Sequence, residues 1–306
     1  MHSIVEIFGR KISTYSLCAI AGGVALVLYY IFQCKHTKKN SAVKIEYRDM
    51  LFMLVYAAVG LLIGAKLLFL ITSTDFVWYS DKNFWENLWI WAVQIASGGF
   101  VFYGGLIGAI LGSFVYMRKY KAPFSEMFDM GVSGIPLFHA FGRVGCFLGG
   151  CCYGMEYHGP FAVVYPEGSL GGAPAGVELL PVQLIETALN IILWAVLVIV
   201  YRKTSRRWFT SGVYFVSYGI MRFTLEFFRG DLIRGHVSVL STSQFISFFI
   251  VAAGVLLIIK PSWLERFGGV NDAAYLETVE LYKKRVAEYK EYKAARKAFR
   301  ESNGKK

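Results

Sequence analysis

The stretch His139-Ala-Phe-Gly-Arg-Val-Gly-Cys-Phe-Leu-Gly-Gly-Cys-Cys-Tyr-Gly154 puts an imidazole, a guanidinium and three of the five cysteines in or beside a hydrophobic run. An arginine at a bilayer centre costs about 2.5–3.5 kcal/mol on insertion scales, so Arg143 calls for an anionic partner or a wet cavity. His139 precedes it by four residues and shares its helical face, where an imidazole can take a proton. The glycines let a ligand or another backbone come close. The competing reading of His139 is a packed helix histidine bonded to a backbone carbonyl.

The elements that must carry this stretch are membrane helices. Of 306 residues, 56% are hydrophobic and 17% charged, too apolar for a soluble domain of this length. The net charge of +11 sits in short clusters between the apolar runs, where it orients a membrane protein, so no nucleic acid partner is expected. The first apolar run is long enough to span and has no small-residue cleavage site, so no cleavable signal peptide is expected.

Seven spans follow in order. They run Ser13–Gln33, about Met50–Ile71, Gly98–Met117, from Phe124 into the glycine-cysteine stretch with Pro136 inside it, Pro181–Tyr201, about Phe209–Phe228, and Ser241–Ile259. Basic loops after the first span (Lys35, Lys38, Lys39, Lys44, Arg48), the third (Arg118, Lys119, Lys121) and the fifth (Arg202, Lys203, Arg206, Arg207) place the amino end outside. The carboxyl end is inside, with a basic tail after the seventh span. Residues 72–90, with Asp75, Asp81, Glu86 and several aromatics, read as an outer interfacial segment. Residues 155–179 read as an outer loop, and Asp231, Arg234 and His236 occupy another. The expected fold is therefore an all-α integral membrane protein with seven transmembrane helices (residues 1–260) and a basic cytoplasmic helical tail (261–306). In the tail, Tyr275, Val279, Tyr282, Val286, Tyr289 and Tyr292 recur at helical spacing, which suits a helix resting on anionic headgroups.

Alternating spans bring polar residues to one depth. Arg143 lies about 28 Å along its helix from the cytoplasmic entry, in the outer half of the bilayer. Lys66, Arg222, Glu226 and Arg229 reach the same zone from outward-running spans, the last three on one helical face. Tyr15, Tyr103, Gln183 and Glu186 reach it from the outer ends of inward-running ones. The zone is cationic, and arginine's planar fork suits phosphate, so a phospholipid headgroup is the natural ligand. The alternative is that these groups pair among themselves, Arg222 with Glu226, while Lys66 and Arg229 snorkel. The C-x4-C-C spacing of Cys146, Cys151 and Cys152 lacks the paired CxxC of a zinc ribbon, so no metal or other cofactor is expected. The competing readings for these thiols are small packing residues or a reactive cysteine.

Four segments carry a family resemblance: Ser97-Gly-Gly-Phe-Val-Phe-Tyr-Gly-Gly-Leu-Ile-Gly108, Gly142–Gly154, Pro181-Val-Gln-Leu-Ile-Glu186, and Tyr218-Gly-Ile-Met-Arg-Phe-Thr-Leu-Glu-Phe-Phe-Arg229. In order and spacing the chain resembles the prolipoprotein diacylglyceryl transferases of bacterial cell membranes, up to about Pro261. The resemblance implies transfer of the diacylglyceryl group of phosphatidylglycerol to the lipobox cysteine of a prolipoprotein signal peptide, giving a thioether and glycerol phosphate. It implies that Arg143 and Arg222 hold the lipid phosphate, and that Tyr15 and Tyr218 line the lipid site. Gly154 ends the signature, Gln183 and Glu186 orient the site, and Glu226 and Arg229 match an acidic and a basic position. Two positions depart from the family's best-known members, Tyr103 where they have His and Cys146 where they have Asn. Tyrosine, with an ordinary pKa of about 10, is a poor base, so His139 is expected to take the proton with Tyr103 as its partner. The alternatives are a paralogue serving another acceptor and a non-catalytic lipid-binding or transport protein.

Overall fold

The computed structural model describes residues 4–7, 10–36, 43–73, 79–97, 99–169, 171–231, 236–237, 240–260 and 272–303. Lys38, Lys39, Asp75, Gly98, Arg234 and Pro261 lie outside the described residues. The chain divides into two units, Met1–Ile45 with Ser125–Ala273, and Glu46–Phe124 with Ala274–Lys306.

The first unit opens with a hairpin, β1 (Ile4–Ile7) antiparallel to β2 (Arg10–Ser13), that leads into α1 (Thr14–Lys35). Then come α5 (Phe124–Gly149), β3 (Val163–Val164), β4 (Glu178–Leu179), α6 (Val182–Lys203), α7 (Phe209–Leu225), β5 (His236–Val237), β6 (Leu240–Ser241) and α8 (Thr242–Ile259). The start of α8 is written into Ser241-Thr-Ser-Gln244. The Ser241 hydroxyl accepts from Gln244 N at 3.2 Å and the Gln244 side chain accepts from Ser241 N at 3.1 Å, a reciprocal capping box. Val132, Leu193, Leu197 and Tyr214 form a buried core shared by α5, α6 and α7.

The second unit holds α2 (Tyr47–Ser73), α3 (Phe84–Ser97), α4 (Phe102–Lys119) and a final helix, α9 (Asp272–Asn303). In α2 and α4, Gly60 faces Gly108, and Gly64 faces Gly104, so closely that an added Cβ would strike the opposing carbonyl oxygen. Small residues at such a crossing let two membrane helices gain van der Waals contact where hydrophobic burial offers nothing. The interfacial reading of residues 72–90 did not anticipate α3. Its Trp85 and Trp89 are exposed, as suits amphipathic aromatics at headgroup depth.

Four helices are long and apolar enough to cross a membrane, Thr14–Lys35, Tyr47–Thr72, Val182–Lys203 and Thr242–Ile259. Their outer faces expose Val24, Leu28, Val59, Leu62, Ile63 and Ile199, an apolar surface that needs lipid around it. The chain is thus a helical membrane protein. The other expected spans are helices too, but α5 carries Asp129, His139 and Arg143, and α7 is 17 residues long. The sixth span needs correction: α7 stops at Leu225, a 3-10 turn takes Glu226–Phe228, and Arg229 is extended (φ −85°, ψ 142°).

Beyond α5, residues 150–181 form an ordered cap. Gly150, Gly168, Gly172 and Gly176 adopt positive φ, and Tyr165, Ala173 and Leu179 make a small core of their own. Burial pushes the Tyr165 phenol up to about 12.

Candidate active site

The last turns of α5 point His139 and Arg143 at Glu186 in the first turns of α6. Arg143 Nε donates to His139 Nε2 at 3.2 Å, which fixes the imidazole lone pair on that nitrogen. Glu186 Oε1 lies 3.0 Å from Arg143 Nε and 3.6 Å from His139 Nε2. The Nε–H is aimed at the imidazole, so the carboxylate gains the charge of Arg143 without its hydrogen bond. Among the described residues, neither Glu186 oxygen has a hydrogen-bond partner, although the residue is fully buried.

A second pair stands at the end of α7 and the start of the 3-10 turn. Arg222 Nη2 lies 2.7 Å from Glu226 Oε2 and donates to Ser243 Oγ at 2.9 Å, while its Nη1 is buried with no hydrogen-bond partner among the described residues. Tyr218, one turn before Arg222, sets its ring 5.7 Å from that of His139. The two pairs therefore share one neighbourhood, and Arg222 is within electrostatic reach of both His139 and Glu186.

Arg229 corrects the helical-face expectation. It is not on the face of α7 with Arg222 and Glu226, because the 3-10 turn rotates the chain out of the helix before it. It forms a two-point ion pair with Asp231 (Nε–Oδ1 2.9 Å, Nη2–Oδ2 3.0 Å) and bridges to Gly154. Its Nη1 is buried and has no hydrogen-bond partner among the described residues. At Gly154 a side chain would collide with the Leu180 carbonyl oxygen.

Gln183 Nε2 donates to the Cys151 carbonyl at 2.8 Å and to Tyr165 Oη at 3.2 Å, tying α6 to the cap. Tyr15, half exposed, packs on Gly145, where a Cβ would meet its ring at 3.0 Å. Cys146 is buried, and its sulfur lies with those of Cys151 and Cys152 inside a circle of thiols no more than 4.8 Å apart. Lys66 and Tyr103 stand on α2 and α4 of the second unit. Lys66 Nζ lies 5.1 Å from the Phe100 ring centroid and 5.5 Å from that of Phe69, while Tyr103 is 44% exposed.

Arginine pairs with unfilled donors and a buried carboxylate are chemistry that many membrane proteins use, so sequence relationship decides the family. A family model described as prolipoprotein diacylglyceryl transferase matches residues 2–260. The chain belongs to this family. It is 34% identical over 253 residues to phosphatidylglycerol–prolipoprotein diacylglyceryl transferase 2 of Clostridium perfringens, covering 82% of this chain and 92% of that one. It is similar at 33% over 255 residues to the phosphatidylglycerol–prolipoprotein diacylglyceryl transferase of Clostridium tetani (83% and 95% covered). The Finegoldia magna protein of the same name is 31% identical over 257 residues (83% and 93%).

Within this prolipoprotein diacylglyceryl transferase chain, the reading of the residues missed Ser243, Asp231 and the convergence of the thiols. Ser243 was findable, since it sits inside the Ser-x-x-Gln start of α8 and therefore at the mouth of a helix beside α7. Asp231 carried the signal of an acid two residues from Arg229. The thiols carried none in their spacing.

Proposed function

We propose that this chain transfers the diacylglyceryl group of phosphatidylglycerol to the cysteine thiol of a prolipoprotein lipobox, releasing glycerol phosphate. Family membership and the names of its relatives support the reaction. The structural observation that carries it is the buried guanidinium nitrogen Arg222 Nη1, which lacks a hydrogen-bond partner among the described residues. A buried donor left unfilled costs about 1–3 kcal/mol, a cost that a ligand's acceptors would relieve. A phosphodiester does so, with charge matched to the guanidinium.

In this reading Arg143 and Arg222 hold the phosphate and stabilise charge as it gathers on the leaving oxygen. Tyr15 and Tyr218 line the lipid. Glu186 holds Arg143 in place, and Gln183 and Gly154 fix the cap beside it. Glu226 does the same for Arg222, and Arg229 flanks the thiols. His139 receives the thiol proton through Nε2 when Arg143 turns to the phosphate. The enzyme crosses a bacterial cytoplasmic membrane seven times with its amino end outside. The site faces the outer leaflet, where the signal peptide presents its lipobox, and α9 lies on the cytoplasmic side.

The test is a transfer assay on detergent-purified protein with phosphatidylglycerol and a lipobox peptide, read by peptide mass and glycerol phosphate. A peptide heavier by a diacylglyceryl group is expected. Phosphate release without a modified peptide points to another acceptor, and bound lipid with neither product to a non-catalytic binder. Full turnover by His139→Ala removes the proposed base.

A further inference from the structure

The three thiols lie beside the proposed transfer chemistry and are absorbed by none of the roles above. Their sulfurs all fall within 4.8 Å of one another. A zinc ion with Zn–S bonds of about 2.3 Å holds tetrahedral thiolates about 3.8 Å apart, so small side-chain rotations close the set. The sequence spacing conceals this convergence because the backbone doubles back. Cys146 lies in the last turn of α5, Gly150 takes φ 75°, and Cys152 takes φ 59°, a left-handed conformation rare for a residue with a side chain. The doubled-back segment is pinned. Cys151 N donates to the Cys146 carbonyl at 3.1 Å, Gly171 N to Gly149 at 2.9 Å, Ala173 N to Gly150 at 3.1 Å, and Gln183 Nε2 to the Cys151 carbonyl at 2.8 Å. None of the five cysteines is in a disulfide. The surroundings are cationic: Arg229 is within electrostatic reach of Cys152, and Arg143 of Cys146 and Cys152.

We propose that Cys146, Cys151 and Cys152 are the three ligands of a zinc site whose fourth position takes the acceptor thiol of the lipoprotein precursor. The proposal rests on the transfer reading above and supplies the thiol activation that Tyr103 cannot. Three thiolates suit a borderline-soft divalent ion, and three protein ligands with one open position is the arrangement of a catalytic rather than a structural zinc. Zinc on three thiolates is net negative, and more so with a fourth, which Arg143 and Arg229 offset. On coordination the acceptor S–H ionises outright and its proton passes to His139 and on to water. The sulfur lone pair then forms the S–C bond to the terminal glyceryl carbon as that carbon's bond to the phosphate oxygen breaks. The electron pair leaves with glycerol phosphate, and zinc changes neither charge nor oxidation state. The thioether formed is neutral and a weaker ligand, so water replaces it.

The experiment uses the full chain, purified reduced in detergent and loaded with zinc or, for spectroscopy, cobalt(II). About one zinc per chain is expected, with thiolate-to-cobalt charge-transfer absorption, and both lost in a Cys146→Ser, Cys151→Ser double variant. That variant is checked for folding by the rise in its melting temperature on adding phosphatidylglycerol. A cysteine lipobox peptide shifts the cobalt ligand-field bands, and its serine analogue leaves them unchanged. The inference is overturned by no stoichiometric zinc in wild type, by zinc retained in a folded double variant, or by an isolated protein whose mass shows a disulfide among these cysteines. It is also overturned if metal-free protein lipidates peptide at the full rate, an outcome that leaves the transfer reading standing. Zinc bound and peptide-responsive without any transfer keeps the site and sinks the transfer reading instead.

Discussion

Two buried acids in this protein are treated in opposite ways. Asp49, near the start of α2 and 2% exposed, has both oxygens filled. Oδ1 accepts from Tyr116 OH at 2.8 Å and from Arg285 Nη2 at 3.0 Å, and Oδ2 accepts from Tyr282 OH at 2.7 Å. Glu186, on α6 in the other unit, has a cation and an imidazole beside it and no hydrogen bond to either oxygen among the described residues. Low dielectric makes a filled polar cluster rigid and an unfilled one costly. Both Asp49 oxygens are therefore satisfied as they stand, although Arg285 Nε is buried with no hydrogen-bond partner among the described residues, and the cluster serves to hold α9 against α2 and α4. The Glu186 carboxylate has opposite charge beside it but no hydrogen bond to hold it, among the described residues.

The sharpest way to break this contrast is to remove the guanidinium of the neighbouring pair, whose Nη1 is unfilled among the described residues. Arg222→Gln should lower transfer by about 100–1000-fold, the loss typical of one charge-stabilising donor, and leave the melting temperature nearly unchanged. A collapse in stability with residual turnover intact would place Arg222 with Asp49 as a structural group. The mirror experiment is Asp49→Ala, which strands Arg285 in a half-buried setting and should cost about 3 kcal/mol of stability in denaturant titrations while turnover persists. Next in size, phosphatidylglycerol at about a hundredfold over its dissociation constant should stabilise the wild type by about 2.7 kcal/mol, and Arg222→Gln much less. Smallest is Tyr282→Phe, about 1 kcal/mol, read as faster amide exchange in α9. Burial first, and the Asp49 carboxylate second, raise the Tyr282 phenol above its ordinary value of 10.0. Its contribution is thus intact below pH 10 and fades as pH climbs further, so the exchange difference between wild type and Tyr282→Phe should shrink only in strong alkali.

These contrasts also separate what the chain discloses locally from what it does not. Apolar runs and the i, i+4 pair of His139 and Arg143 are short-range patterns, and the helices that carry them are where those patterns put them. The relation of Arg222 to Glu226 was legible for the same reason. Arg229 was not, because periodicity continues on paper through Glu226–Phe228 while the backbone tightens into a 3-10 turn. The thiol cluster needed two left-handed residues, Gly150 and Cys152, and only the glycine advertises such a conformation. The α9 anchor was least visible of all. Tyrosines at helical spacing announce an amphipathic helix, but nothing local tells Tyr282 that its acid is 233 positions earlier.

That anchor bears on how the protein is handled. The family match ends at residue 260, so a chain shortened to the shared region would look complete by alignment. It would keep Tyr116 and lose Tyr282 and Arg285, leaving a buried carboxylate with one hydrogen-bond partner of three. The cation–π contact of Arg48 with Tyr289 and the Lys290–Glu46 pair would go with them. A shortened protein that aggregates or misbehaves in detergent would then report a stranded acid on α2, and say nothing about the catalytic competence of the region retained.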